Sequence, residues 1–198
     1  MAQTDLKSLK QRIVEATKMD LPEDLLHELL SSMTEIKANT YDVISPIGEV
    51  DTNLYLCKQG IVRYVYNSGN REVTHYFAPA GHILVSWHSY FHGLPSFFQM
   101  EACCKNTVVL RLPKEKFDEM VRKSHIFAQW VVNFYHSQFF LFERKIELFK
   151  GDARQRFDAL LANRPDVVRH VPLGIIASYL GITPQYLSTL RKLSVTKR

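Results

Sequence analysis

Residues 124–150 restrict the fold of this 198-residue chain more than any other segment. Ser124 is a good N-cap and Gly151 a good terminator, so the segment is predicted to form one long helix. Apolar residues recur along it at alternating spacings of four and three, the a/d pattern of a coiled-coil seam over three heptads. The seam consists of Ala128, Val132, Tyr135, Phe139, Phe142, Ile146 and Phe149.

A second apolar row lies beside the seam, at Phe127, Phe134, Leu141 and Leu148. A helix with two apolar rows must bury both, and the core of its own domain can cover one of them. We expect a second copy of the helix, related by a two-fold axis, to cover the other. The alternative is a single central helix enclosed within one chain. The homodimer prediction assigns the interface to Val132, Tyr135, Phe139, Phe142, Ile146 and Phe149.

The rest of the chain divides into helical and strand-rich stretches. Residues 5–17 and 22–36 have helical apolar spacing, whereas residues 39–112 consist of short β-rich runs separated by Gly, Pro, Asn and Asp. Such strands predict a β-sandwich or a small barrel, and the run at 61–66 followed by Asn-Ser-Gly-Asn predicts a hairpin. Short helices are expected over 114–123 and 152–163, followed by a connecting loop over 166–172.

Residues 173–192 have the pattern of a helix-turn-helix. Ala177 is small enough for two helices to cross closely, and Gly181 can adopt the left-handed conformation of a tight turn. Thr183 is a suitable N-cap for the second helix, and Pro184 fits its first position. Apolar side chains are placed to fill the joint between the helices: Ile176, Leu180, Ile182, Leu187 and Leu190.

The outer face of the second helix carries side chains that can hydrogen-bond bases or phosphates. Residues 150–198 contain nine Lys and Arg against three Asp, although the remainder of the chain is nearly neutral. A solubilising basic end and an ordinary helical hairpin would share these features. We predict that the segment binds double-stranded DNA through Thr183, Gln185, Tyr186, Ser188, Thr189, Arg191 and Lys192.

Together these features resemble the Crp/Fnr family of bacterial transcription regulators, and the resemblance covers nearly the whole chain. L-Y-L-C-K-Q-G-I-V-R-Y (54–64) is similar to the family's L-Y-x-I-x-x-G-x-V-R strand pair, with a glycine at the turn. A-P-A-G-H (78–82) resembles its x-x-x-G-D, and the C-terminal segment resembles its I-A-x-x-x-G-x-S-x-E-T-x-S/G-R pattern. The family's base-reading arginines and glutamate fall at Pro184, Thr189 and Gln185, so the resemblance implies a different operator sequence.

The resemblance implies an α+β fold in three parts. A cyclic-nucleotide-binding-like sensor domain over 1–123 would be an N-terminal β-roll, a jelly-roll-like double-stranded β-helix with flanking helices. A dimerisation helix would span 124–150, and a small all-α helix-turn-helix domain would span 151–198. The implied protein is a homodimeric regulator that binds an inverted-repeat operator and works with RNA polymerase in the cytoplasm.

The effector pocket is where the sequence departs from the family. Its cyclic-nucleotide binders hold the ribose with a Gly-Glu pair and the phosphate with an Arg-Ser pair. Counted from Gly81, these pairs become Val85-Ser86 and Ser96-Phe97. A phosphate without a cation in a partly desolvated pocket is disfavoured by several kcal/mol. We therefore expect neither cAMP nor another cofactor to be bound, and leave a different effector unidentified. The candidate pocket residues are Arg71, Ser86, Trp87, His88, Ser96 and Phe97.

Other chemistries have little support in the sequence. His88 and His92 could bind a metal if 86–93 is helical, but hydrogen-bonded histidines are the preferred interpretation. Cys103 and Cys104 are expected on a strand as structural thiols. Residues 1–12 lack the apolar stretch of a secretion signal, and no run has the length of a membrane span, so we predict a cytoplasmic protein without a membrane partner.

No catalytic residues are assigned, because the sequence contains no nucleophile–base set and no triad of metal ligands. The chain is therefore predicted not to be an enzyme. An enzyme built on a β-roll is the third possible interpretation of the sequence. The main alternative to a DNA-binding regulator is a ligand-binding signalling module whose helix-turn-helix is vestigial.

Overall fold

Two N-terminal helices precede the sheets. The structure, a computed structural model, describes residues 3–195. Helix α1 is Gln3–Thr17, which confirms the helix predicted over 5–17, and α2 is Glu23–Ser31. Both pack on the core, with Leu9, Ile13 and Leu26 buried.

The prediction of a single helix over 22–36 is wrong at its C-terminal end. Helix α2 ends at Ser31, and Thr34–Ala38 form strand β1. The apolar stripe of the helix stops at Met33, and the alternating sequence that follows suits a pleated strand. Five residue pairs join β1 to a strand more than 65 residues later in the chain, and such pairing outweighs local helix preference.

The strands after β1 are β2 Val43–Ser45, β3 Leu54–Gln59, β4 Ile61–Ser68, β5 Arg71–Pro79, β6 Ile83–Val85, β7 Gln99–Ala102 and β8 Thr107–Leu112. With β1 they form two antiparallel four-stranded sheets, with the orders β1-β8-β3-β6 and β2-β7-β4-β5. The predicted hairpin joins β4 to β5. At the other end of β4, the chain turns at Gly60, where φ is +85° and an added Cβ would lie 2.6 Å from Thr107 Oγ1, so only glycine fits.

The prediction that Cys103 and Cys104 lie on a strand is wrong. Both residues are in the loop that follows β7. Cys103 is buried and Cys104 half-buried. The backbone N–H of Cys103 donates to the Ile61 carbonyl, and the Cys104 carbonyl accepts from Thr107 Oγ1. These contacts stabilise a turn, and β7 therefore ends at Ala102, the residue before Cys103.

Helix α3, Trp87–His92, interrupts the strands. The helices after the strands are α4 Lys114–Lys123, α5 His125–Lys150, α6 Ala153–Asn163, α7 Pro165–His170, α8 Leu173–Leu180 and α9 Pro184–Val195. The prediction for the long helix is confirmed, because α5 begins after Ser124, whose hydroxyl accepts from Phe127 N, and ends before Gly151. The prediction of a loop over 166–172 is wrong, because Pro165 begins α7 there, at the first helical position, where a missing N–H costs nothing.

The helix-turn-helix forms as its sequence pattern predicts. Gly181 has φ +68° in the turn between α8 and α9, and Thr183 Oγ1 accepts from Tyr186 N at 3.2 Å. Ala177 is buried at the joint, with Leu180, Leu187 and Leu190 around it.

Buried apolar residues form three clusters, and their membership decides which parts of the chain are packed together. One cluster joins α1, α2 and α4 to the first half of α5, and a second lies between the two sheets. The third combines Ile61, Phe77 and Cys103 of the roll with the core of α6–α9. The α+β fold with a β-roll, a long helix and a C-terminal helix-turn-helix is thus confirmed. Within residues 3–195, no helix has both the length and the hydropathy needed to cross a membrane.

Candidate ligand cavity and nucleic-acid interface

A cavity of about 700 Å³ lies between the β-roll and helix α5. Its walls come from β4, β5, β6, α3 and the residues after α3 on one side, and from α5 on the other. Most of the lining is aromatic, and no described lining residue is an aspartate or a glutamate. The lining consists of Tyr64, His75, Tyr76, Val85, Ser86, Trp87, His88, Phe91, His92, Phe97, Phe98, Tyr135, Gln138, Phe139, Leu141, Phe142 and Lys145.

Four of the six candidate pocket residues line this cavity: Ser86, Trp87, His88 and Phe97. Arg71 and Ser96 do not. Arg71 is exposed at the start of β5, beside the hairpin turn. Ser96 is buried and donates from Oγ to the Phe98 carbonyl at 2.6 Å, so that it stabilises the loop before β7.

The aromatic side chains contact one another and give the cavity a defined wall. His88 stacks on Phe97 with ring centroids 4.1 Å apart, and its Nδ1 lies 2.8 Å from the Pro95 carbonyl oxygen. Trp87 stacks on Phe91 at 5.9 Å and meets Tyr135 of α5 edge-on at 5.5 Å. These contacts extend from α3 to the long helix.

Lys145 is the one described lining residue with an aliphatic amine, and no sequence motif marks it as a pocket residue. Its Nζ donates to the carbonyl oxygen of His75, and lies 3.5 Å from that of Thr74. It also lies 4.5 Å from the ring centroid of Tyr179 in α8. Burial lowers the pKa of Lys145 to about 7. Lys145 thus lines the cavity and contacts both β5 and α8.

A buried ion pair lies behind the cavity wall. Arg63 is only 1% exposed, and its guanidinium pairs with Glu101 on the neighbouring strand, 5% exposed, at 2.7 Å. It also bonds Thr74 Oγ1 at 3.0 Å and the Glu72 carboxylate at 3.0 Å. Burial raises the pKa of Glu101, and Arg63 opposes that rise. All the side-chain partners of Arg63 therefore belong to the β-roll, and Arg63 does not line the cavity.

Strand β5 connects the cavity to the helix-turn-helix. Thr74 N donates to Ser178 Oγ of α8 at 2.7 Å, and Ser178 Oγ donates to the Glu72 carbonyl at 3.0 Å. The Phe77 ring lies 4.9 Å from that of Tyr179. Thr74, which contacts both Lys145 and Arg63, and Glu72, which contacts Arg63, thus also contact α8.

The histidines in and near the cavity were considered as metal ligands. The rings of His88 and His92 are 5.8 Å apart on α3, which is helical as the metal hypothesis required. Burial lowers the pKa of both His75 and His82 to about 4, so each is neutral at pH 7. Among residues 3–195, His, Cys, Asp and Glu side chains nowhere come together in a group of three that could hold a metal ion.

The seam of α5 is largely uncovered in the single chain. The second row is partly buried against the roll, with Phe127 and Phe134 fully enclosed. Tyr135 is half-buried against Trp87. The remaining predicted interface residues are exposed: Val132 49%, Phe139 65%, Phe142 52%, Ile146 52% and Phe149 42%.

The outer face of α9 presents polar side chains. Thr183, Gln185, Tyr186, Thr189 and Lys192 are exposed, and Ser188 and Arg191 are half-buried. Arg191 donates to the Val168 carbonyl of α7 at 3.1 Å, which leaves other N–H groups of its guanidinium for a further partner.

Solved structures share this fold at low sequence identity. The catabolite activator protein of Thermus thermophilus is 17% identical, with 92% of this chain and 87% of that one covered and a TM-score of 0.57. A CooA mutant from Carboxydothermus hydrogenoformans is 19% identical, with 91% and 82% covered and a TM-score of 0.64. FixK2 from Bradyrhizobium japonicum is 17% identical, with 83% and 85% covered and a TM-score of 0.67. No protein-family model and no curated protein sequence matches the chain.

Proposed function

We propose that a chain with this fold, the fold of the Crp/Fnr regulators, is a homodimeric DNA-binding transcription regulator controlled by a ligand in the cavity beside α5. The observation that carries the proposal is the exposed polar face of α9, set on a helix-turn-helix. RNA polymerase is the further partner that such a regulator needs, and the cytoplasm its compartment. We assign the chain no enzymatic role.

Dimerisation through α5 is part of the proposal. Five large apolar side chains exposed along one helix face form a patch that a monomer would present to water. A copy of the same seam would cover it about a two-fold axis. Two copies of α9 about 34 Å apart would then match successive major grooves, so the site is expected to be an inverted repeat.

Within each half-site, α9 enters the major groove with its N-terminus first. Gln185 and Thr189 are four residues apart on one face, with Ser188 beside them, and these are the proposed base contacts. Thr183 and Tyr186, at the start of α9, and Arg191 and Lys192, one turn after Thr189, are the proposed backbone contacts. The three-part division of the chain, at 123/124 and 150/151, follows the same proposal.

Gln185→Ala should weaken binding to the specific operator by roughly 1–3 kcal/mol and leave binding to random DNA nearly unchanged, because a glutamine reads bases. The operator is first selected from a random library. Fluorescence anisotropy at several salt concentrations then measures both affinities.

Lys192→Ala is the matched variant for this measurement. It removes a charge from the same helix and should weaken both kinds of binding, with a salt slope lower by about one per subunit. Equal losses on both DNAs for Gln185→Ala would show that the wrong face was assigned. Failure of the unsubstituted chain to bind any DNA at low salt would favour the signalling module with a vestigial helix-turn-helix.

We also expect no useful affinity for cAMP. Ser86 lines the cavity where a ribose-binding glutamate would be needed, Ser96 is turned into its loop, and Arg71 lies outside. Calorimetry should give no dissociation constant below about 10 μM, near −7 kcal/mol. A tighter constant would contradict the expectation.

A further inference from the structure

The cavity contains one lysine in a mostly aromatic wall, and this combination limits the ligands that it can bind. Its lining brings together Trp87, Phe91, Phe97, Phe139 and Phe142 with Lys145. Volumes of a few hundred Å³, apolar walls and a small number of polar groups are typical of sites for small organic molecules. The polar groups of the cavity then determine the class of ligand, through the chemical groups with which they can pair.

We propose that the cavity binds an apolar, ring-containing or chain-like organic acid and that Lys145 pairs with its anionic group. The inference rests on the proposed function only in taking this cavity as the ligand site. It adds the chemical class of the ligand and the residue that recognises it.

The contacts of Lys145 favour an acid over a neutral or basic ligand. Its side chain is partly enclosed between β5 and α8, where Nζ lies near two carbonyl oxygens and two aromatic rings. No carboxylate among the described lining residues compensates the ammonium charge. An ammonium has three donors, so it can bind an anion while it still contacts the strand. Burial without a counter-ion disfavours the charged amine, as its lowered pKa shows, and an acid would supply the missing charge.

The rest of the wall favours an apolar body. Trp87, Phe91, Phe97, Phe139 and Phe142 offer ring faces and edges, and cover an apolar ligand without leaving polar groups unpaired. A sugar or a polyphosphate would bring many donors and acceptors into a wall that cannot satisfy them. The ligand is therefore expected to carry its polarity at one end.

Two fluorescent probes of nearly the same shape test the proposal. 1-Anilinonaphthalene-8-sulfonate carries one anionic group, and N-phenyl-1-naphthylamine lacks it. Fluorescence titration of the full chain gives an affinity for each probe. The comparison uses Lys145→Met, which keeps the aliphatic stem, and Lys150→Met, which removes the same charge from the same helix outside the cavity.

Lys145→Met should weaken the sulfonate about tenfold, as expected for loss of a charge-assisted hydrogen bond, and change the neutral probe less than about twofold. Lys150→Met should alter neither affinity. The proposal is overturned if Lys145→Met leaves the affinity for the sulfonate unchanged, or if it weakens the affinity for both probes equally. It is also overturned if the unsubstituted chain binds neither probe.

DNA anisotropy on the same samples separates the two proposals. An unsubstituted chain that binds DNA but fails the probe test overturns the ligand class alone. A chain that passes the probe test but binds no DNA overturns the proposed function alone.

Discussion

Arg63→Met should lower the free energy of unfolding by roughly 3–5 kcal/mol, because it leaves the buried Glu101 carboxylate without its counter-ion. Gln99 Nε2 still donates to that carboxylate at 3.1 Å but brings no charge. The Arg63 and Glu101 side chains face each other on β4 and β7, and both are almost fully enclosed. Thr74 loses a hydrogen-bond donor in the same variant. Urea denaturation at a fixed protein concentration measures the change.

The double variant Arg63→Met/Glu101→Met is the control, because replacing both partners by apolar groups of similar size is often nearly neutral. The double variant should recover at least half of the free energy of unfolding that Arg63→Met loses. A single variant that loses less than about 1 kcal/mol would show that Glu101 finds another partner or water.

The loss should also shrink at low pH. Burial raises the pKa of Glu101 in the folded chain, and removing Arg63 raises it further. The folded variant then holds a proton that the unfolded chain, with a pKa of about 4.3, has released. Lowering the pH therefore favours the folded variant. The difference in the free energy of unfolding between the variant and the unsubstituted chain should be largest near pH 7.5 and smaller near pH 5.

Ile146→Asp should convert the proposed homodimer to a monomer. In the dimer the new carboxylate would be buried close to its symmetry mate, at a cost of roughly 3–5 kcal/mol, which is more than a hundredfold in the dissociation constant. In the single chain Ile146 is 52% exposed, so the fold itself should be little affected. Sedimentation velocity measures the mass, and circular dichroism the fold.

Phe140→Asp is the matched control for this experiment. Phe140 lies on the same helix and is exposed to a similar extent, 55%, but it is not part of the seam. It should leave the dimer intact. If Ile146→Asp stays dimeric, even when combined with Phe142→Asp, the seam of α5 is not the interface.

The elements that could be predicted from the sequence are those with local signals. Ser124 and Gly151 bound α5, and Gly181 with Thr183 shapes the turn of the helix-turn-helix, through contacts within a few residues. Strand β1 could not be predicted in this way, because Thr34–Ala38 become a strand only by pairing with β8. The short helix α7 was missed because its six residues resemble a loop with an apolar pair.

The candidate site shows the same limit. Ser86 and Phe97 were found by counting from Gly81 along the family's motif, and Trp87 and His88 follow Ser86 directly. All four line the cavity, whereas Ser96, found by the same count, does not. Arg71 was misplaced because a basic residue on a hairpin has no local sign of where it points. Lys145 lies between Phe142 and Ile146 in a helix that reads as an interface, and only the approach of β5 and α8 shows its role.

The apolar cluster shared by the roll and α6–α9 means that the chain is not two independently stable bodies joined by a helix. Phe77 and Ile61 share one buried cluster with side chains such as Phe157 and Leu180, so separating the C-terminal helices would expose both sides to water. The chain should therefore lose its structure in one cooperative transition in the state described here. Any reorientation of α9 on DNA then requires that this packing be exchanged for another, and cannot come from a loose tether.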